Sequence, residues 1–260
     1  MARVVVLHHL DDTFLGYAGE ALRAAGVELD ERDLKRGEPL PEPGEADAIL
    51  SLGGDQSVLD IDRYPYLVAE AELLRAEAER GTPILGVCLG GQLLAHALGG
   101  SVERMPVRTV DWSEVRRLPE ADGDPVFGGL PPVFRALHWN EDCFQVPDGA
   151  VELLSRAGPG GEAFRWGGSA WGIQFHPEAD AGILDGWYRD VAWLEEAGIE
   201  EAAAREADRL HLPGQPSTAE GIFGGFAAVV SDRAQAQSPA SATAGSAATV
   251  RRRRSAGRIR

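Results

Sequence analysis

Cys88 lies in Pro83-Ile84-Leu85-Gly86-Val87-Cys88-Leu89-Gly90-Gly91-Gln92, where an apolar run of strand character meets a helix-like run over residues 93–98. A side chain at such a strand-to-helix turn projects above the sheet, and glycines two residues to either side let strand and helix cross without Cβ clashes. Unpaired N–H groups and aligned peptide dipoles at a helix start favour negative charge on the sulfur. The pattern predicts a nucleophile at Cys88 rather than a small packing residue. A nucleophile needs a proton acceptor, and His176-Pro177-Glu178 offers one at the end of an alternating stretch over 170–175. Residues two apart in a strand share a face, so the Glu178 carboxylate is expected beside the His176 imidazole. There it fixes the tautomer and leaves the other ring nitrogen to exchange a proton with sulfur. Pro177, with no N–H to give a ladder, suits the last position of a strand or the loop beyond it.

These groups must be carried by a scaffold, and the chain reads as alternating strands and helices. Residues 3–7, 27–29, 47–52 and 83–87 have strand character, while 14–25 and 64–80 carry helical spacing closed by Gly26 and Gly81. Residues 37–44, with three prolines, read as a loop. The expected fold is α/β, with a central mostly parallel sheet covered by helices on both faces and the site at its carboxyl edge. After Gly99 the text changes to short strand-like pieces, 133–137, 151–154 and 170–175, read as later, partly antiparallel strands that bring His176 beside Cys88. Residues 183–197, 199–210 and 218–230 read as helices, the last despite three glycines. No internal repeat is visible.

With 260 residues, 44% of them hydrophobic, the chain is expected to form one domain over 1–230, followed by an appendage. Residues 231–260 are rich in Ala, Ser and Gln and end in an arginine cluster, a composition that predicts a disordered tail. The net charge is −16; the tail holds seven Arg and one Asp, leaving residues 1–230 with 18 basic against 40 acidic groups, or −22. So acidic a body disfavours nucleic acid, whose binding depends on cations facing phosphate. No apolar run approaches a membrane span, and the first ten residues lack a secretory pattern, so a cytoplasmic location is expected. Two cysteines make no disulfide scaffold, and Cys143, without flanking glycines, reads as packing.

Beyond this chemistry, Gly86-Val87-Cys88-Leu89-Gly90-Gly91-Gln92 matches a G-x-C-x-G-x-Q nucleophile signature, and His176-Pro177-Glu178 matches an H-P-E signature that follows it. Over residues 1 to about 195 the chain resembles the class I, triad-type glutamine amidotransferases, especially stand-alone domains similar to the glutaminase part of GMP synthetase. The strand Ile49-Leu50-Ser51-Leu52-Gly53-Gly54 is a third match. The resemblance implies a flavodoxin-like fold, Cys88, His176 and Glu178 as a catalytic triad, and backbone N–H groups of Gly54 and Leu89 as an oxyanion hole. It places Gln92 and Gly90 in substrate binding. Asp55 follows the glycine pair where many relatives have proline, and His138-Trp139-Asn140-Glu141-Asp142 stands where relatives often carry a His-Gly-Asp loop. Asn140, Glu141 and Asp142 either hold a substrate amino group or form a solvated loop.

The implied reaction is hydrolysis of the γ-carboxamide of glutamine through a γ-glutamyl thioester on Cys88, releasing ammonia to an ammonia-accepting synthase partner. The alternatives are a γ-glutamyl peptide or conjugate hydrolase and a non-catalytic regulatory or binding subunit of the same fold. No cofactor or metal is expected: Gly53-Gly54 and Gly158-Pro159-Gly160-Gly161 lack the continuation of a phosphate loop, and strand geometry points His8 and His9 to opposite faces. His96 reads as packing or a helix-surface contact.

Overall fold

The computed structural model describes residues 1–11 and 14–237. Nine strands form a single sheet in the order β2-β1-β3-β4-β9-β8-β7-β5-β6. Five are parallel: β1 (Arg3–His9), β2 (Glu28–Asp33), β3 (Ala48–Gly54), β4 (Ile84–Val87) and β9 (Ala170–Ile173). From β9 outward, β8 (Ala163–Trp166), β7 (Val151–Arg156), β5 (Val102–Arg117) and β6 (Val133–Phe144) pair antiparallel, so the sheet is mixed, with parallel pairing at its centre.

The parallel strands are apolar on both faces because helices cover both. On one face Val4, Val6, Leu50 and Leu85 pack with Ala18 and Leu22 of α1 (Gly16–Ala24) and with Ile222, Phe223 and Phe226 of α7 (Gln215–Gln237). On the other, Val5, Leu7, Ile49 and Ile84 meet Leu67 and Leu74 of α2 (Pro65–Glu79) and Leu89 and Leu93 of α3 (Leu89–Ala97). A third cluster lies apart from these. There Leu184 and Tyr188, at the end of α4 (Ala181–Trp187), and Leu194 of α5 (Val191–Ala197) pack on Trp112 and Leu137 of the β5–β6 pair, joined by Ala207 of α6 (Glu201–His211).

Several expectations need correction. The stretch 183–197 is two helices, broken between Tyr188 and Asp190, where the Asp190 side chain accepts from Trp193 N and starts α5 afresh. The expected strand over 133–137 continues to Phe144, so Asn140, Glu141 and Asp142 belong to β6 and not to a loop. Its partner β5, sixteen residues long, was not expected, because Pro106 and a run of charges interrupt its alternation. The stretch 170–175 ends as a strand at Ile173, so His176 and Glu178 meet across a turn instead of along a strand face. Helix α7 runs to Gln237, seven residues into the segment set apart as a disordered tail, whereas 238–260 lie outside the described residues.

Candidate active site

Cys88 sits between β4 and α3 with φ 51° and ψ −107°, the only non-glycine residue with positive φ among the described residues. Such a conformation costs about 1–3 kcal/mol and persists only where the surroundings dictate it. Here they do: Cys88 N donates to Ile173 O at 2.8 Å, Gln92 N donates to Cys88 O at 2.9 Å, and the glycines let backbone meet backbone. A Cβ on Gly91 would lie 2.5 Å from Ile173 O, and one on Gly90 would run into Ser51 O. Gly90 therefore serves the strand–helix crossing and lies outside the cavity wall.

His176 and Glu178 follow β9. Their turn is held by His176 N to Leu137 O at 2.9 Å, by Tyr17 N to Glu178 O at 2.9 Å, and by the Gln215 side-chain amide, which donates to His176 O at 2.6 Å. His176 Nδ1 is 2.7 Å from Glu178 Oε1, and both side chains are nearly buried. Nε2 lies 3.3 Å from Trp139 O, the carbonyl that the Cys88 sulfur reaches at 4.0 Å; Gln174 Nε2 donates to that sulfur at 3.7 Å. Burial opposes charge on His176, but Glu178 and then Cys88 outweigh it and raise its pKa well above 6.5. Glu178 at Nδ1 and the Trp139 carbonyl at Nε2 place an acceptor at each ring nitrogen, an arrangement that favours the protonated ring. The Trp187 ring meets the imidazole edge-on at 4.7 Å between centroids.

These groups open onto a cavity of about 360 Å³ whose wall includes Gly53, Gly54, Leu89, Gln92, Trp139 and Trp187. Leu89 is the first residue of α3, so its N–H has no acceptor within the helix. A Cβ on Gly53 would stand 3.7 Å from Cys88 Cβ and 3.0 Å from His176 Cε1, which puts the Gly53–Gly54 backbone beside the sulfur and the ring. Gln92 spends its amide donors inside the protein, on Asp142 O at 2.9 Å and Gln174 Oε1 at 3.3 Å. Glu141 and Asp142 pair with Arg104, Glu141 also with Arg108, and Ser57 donates to Asp142 at 2.5 Å. Burial nonetheless pushes the Asp142 carboxyl up, against the pull of Ser57 and Arg104. Asn140 Oδ1, by contrast, has no partner among the described residues. Asp55 is paired with Lys35 at the rim, at 3.0 Å.

The arrangement brings a strained cysteine, an imidazole paired with a carboxylate, and the Leu89 N–H at the start of α3 to one cleft. A family model described as "Glutamine amidotransferase class-I" matches residues 21–188. The chain belongs to that family. Class-I amidotransferase relatives include the glutamine-hydrolyzing GMP synthase subunit of Natronomonas pharaonis, 32% identical over 68% of this chain and 89% of that protein. Another is the GMP synthase of Thermomicrobium roseum, 32% identical over 62% of this chain but 31% of the relative. The match covers between 22% and 35% of the length of the GMP synthases of Aeropyrum pernix, Thermomicrobium roseum and Tolumonas auensis, so the chain spans about a third or less of these relatives. Among solved structures, a glutamine amidotransferase from Thermotoga maritima superposes with a TM-score of 0.76 at 26% identity, covering 87% of this chain and 98% of that one.

Sequence reasoning missed four parts of this class-I site. Trp139, Gln174, Trp187 and Gln215 act through a backbone carbonyl, a sulfur contact, a ring edge and a turn clamp. Only Gln174, two residues before His176, carried a positional hint.

Proposed function

We propose that the protein is a glutaminase of the amidotransferase type that works through Cys88, His176 and Glu178. The Cys88 thiolate attacks the γ-carboxamide carbon of glutamine, and the oxygen takes the negative charge under the N–H groups of Gly54 and Leu89. Each such donor contributes on the order of 3 kcal/mol. As the tetrahedral species collapses, the C–N bond breaks and His176 Nε2 gives its proton to the departing ammonia. The γ-glutamyl thioester remains. His176, now neutral and oriented by Glu178, takes a proton from water, whose oxygen attacks the thioester carbon and releases glutamate and the thiolate.

The observation that carries this reading is the 2.7 Å Glu178–His176 pair beside a cysteine at positive φ on a shared cavity. Asn140 Oδ1, unpartnered on the cavity wall, is suited to accept from the substrate's α-ammonium group, whereas Glu141 and Asp142 are taken by arginines. Ammonia leaves toward an accepting synthase, a reading supported by the relative from Natronomonas pharaonis, which is one subunit of a GMP synthase. A thiolate nucleophile fits a reducing, cytoplasmic setting, and among the described residues no helix is long and apolar enough to cross a membrane.

A second reading, hydrolysis of γ-glutamyl peptides or conjugates, is favoured by one feature. The cavity wall also includes the aromatic side chains of Phe14, Trp187 and Trp193, apolar surface that a larger leaving amine would contact. A panel of glutamine and γ-glutamyl dipeptides, assayed with and without a GMP synthase-type synthetase, separates the two. Ammonia from glutamine, increased by the synthetase, is the expected result; cleavage of dipeptides alone would transfer the assignment to the second reading.

A further inference from the structure

Gln174 lies two residues before His176 and takes no part in the mechanism above. Its side chain is fully buried and stands outside the cavity wall, so it does not reach a bound substrate. What it touches is the sulfur: Nε2 donates to Cys88 Sγ at 3.7 Å, a reach that sulfur's large radius allows. The direction of this amide is dictated by its neighbours. The carbonyl of Asp142 can only accept, and it takes a proton from Gln92 Nε2 at 2.9 Å. Gln92 Nε2 also donates to Gln174 Oε1 at 3.3 Å, so the Gln174 oxygen faces Gln92 and its NH2 group is turned to the sulfur. The backbone is pinned as well. Gln174 N donates to Glu162 O at 2.9 Å, and the Glu162 carboxylate pairs with His138 Nε2 at 2.9 Å and with Arg156 Nε at 2.6 Å.

A primary amide removed from water needs acceptors for its N–H groups, and a neutral thiol is a weak one. A thiolate is a strong one, because donation to an ionised acceptor is about twice as favourable as donation to a neutral one. The sulfur's contact with Trp139 fits the same charge. That carbonyl is 4.0 Å from Sγ but 3.3 Å from His176 Nε2, so it serves a ring proton better than a thiol proton. Of the titratable groups nearby, His176 shares this carbonyl with the sulfur and has Glu178 behind it, while the Asp142 carboxylate is occupied by Ser57 and Arg104.

We propose that Gln174, aimed by Gln92, is a catalytic residue whose amide N–H holds negative charge on the Cys88 sulfur, before attack and again when the thioester C–S bond breaks and its electron pair returns to sulfur. Hydrogen bonds in series strengthen one another, so the Gln92 donor on the Gln174 oxygen makes the Gln174 N–H a better donor to sulfur. The inference rests on the reading of Cys88 as the acylation nucleophile.

Alkylation by iodoacetamide tests this on the full chain and without glutamine, read by mass spectrometry of the peptide containing Cys88. The thiolate is the form that displaces iodide, so the rate against pH reports when the sulfur becomes charged. In Gln174→Met, which keeps the reach of the side chain without its donor, the pH of half-limiting rate is expected to rise by about one unit, while the limiting rate at high pH stays within about threefold of wild type. The acid limb of kcat/KM for glutamine is expected to move by the same amount. Gln92→Met removes the group that turns the amide, and it is expected to shift the alkylation profile in the same direction by about half a unit or more. It decides the matter should Gln174→Met not fold. A profile superposed on wild type, or one lowered at every pH with its midpoint unmoved, would overturn the inference and leave the proposed function standing. Undiminished ammonia release by Cys88→Ala would instead remove that function, and the inference with it.

Discussion

The charge on His176 is maintained by its neighbours against burial, and this has a measurable consequence for stability. Because its folded pKa lies well above 6.5, the native state binds more protons than the unfolded chain above that pH. The stabilisation is fully present below about 6.5 and is lost as the pH rises through the raised value. In Glu178→Gln the carboxylate that raises the pKa is gone, so urea unfolding followed across this range is expected to show a shallower decline than wild type; parallel curves would contradict the assignment. Cys88 offers a second residue-level test. At φ 51° and ψ −107° a Cβ is strained and glycine is not, so Cys88→Gly is expected to be more stable than Cys88→Ala by about 1 kcal/mol. Thermal melts of the inactive pair that rank alanine first would refute the strain. At this scale the sequence was informative about Cys88, His176 and Glu178, whose residue types and spacing pointed to the one cleft where the structure brings them together. It was silent about Trp139, which contributes a carbonyl that every residue possesses, and about Gln215, whose clamp joins positions 39 apart.

Elements explain why those side chains converge. Glycine spacing around Cys88 announces a close crossing, and Gly91→Ala, whose Cβ would press on Ile173 O, is expected to lower unfolding free energy by about 1–3 kcal/mol. A urea midpoint unchanged from wild type would show that the crossing has slack. The β5–β6 pair was less legible, since one strand carries Pro106 and a register shift between Arg104 and Thr109, and alternation fails at such irregularities. For the same reason Asn140, Glu141 and Asp142 read as part of a loop although they are strand residues, Glu141 and Asp142 held by arginines. The helices α4 to α6 are fastened to this pair through Asp208, which accepts from Trp112 Nε1 at 2.8 Å and from Tyr188 Oη at 2.6 Å. Asp208→Ala leaves both donors without that acceptor and is expected to cost about 2–3 kcal/mol in denaturant unfolding; a loss below about 0.5 kcal/mol would mean the helices are held by apolar packing alone.

Across the whole molecule, parallel strands under two helical layers place the ends of β1, β3, β4 and β9 at one edge of the sheet, where His9, Gly54, Cys88 and His176 lie. This much followed from the strand–helix alternation, because only strands buried on both faces read as unbroken apolar runs. The antiparallel extension and the helices beyond it were read in part, as strands over 133–137 and 151–154 and helices over 183–197 and 199–210, whereas β5 and the break between α4 and α5 were not, because their contacts join segments far apart in sequence. The cleft is lined by residues between His8 and Trp193 and its turn is clamped by Gln215, so removal of residues 238–260 is expected to leave glutamine hydrolysis within about twofold, as initial ammonia release would record. The account as a whole stands on sulfur becoming acylated. Rapid quenching of the enzyme with glutamine, followed by mass spectrometry of the peptide containing Cys88, is the direct measurement. A γ-glutamyl adduct on Cys88 that forms and decays at the rate of turnover is the expected result; ammonia release by Cys88→Ala at the wild-type rate, or turnover with the adduct on another residue, would contradict it.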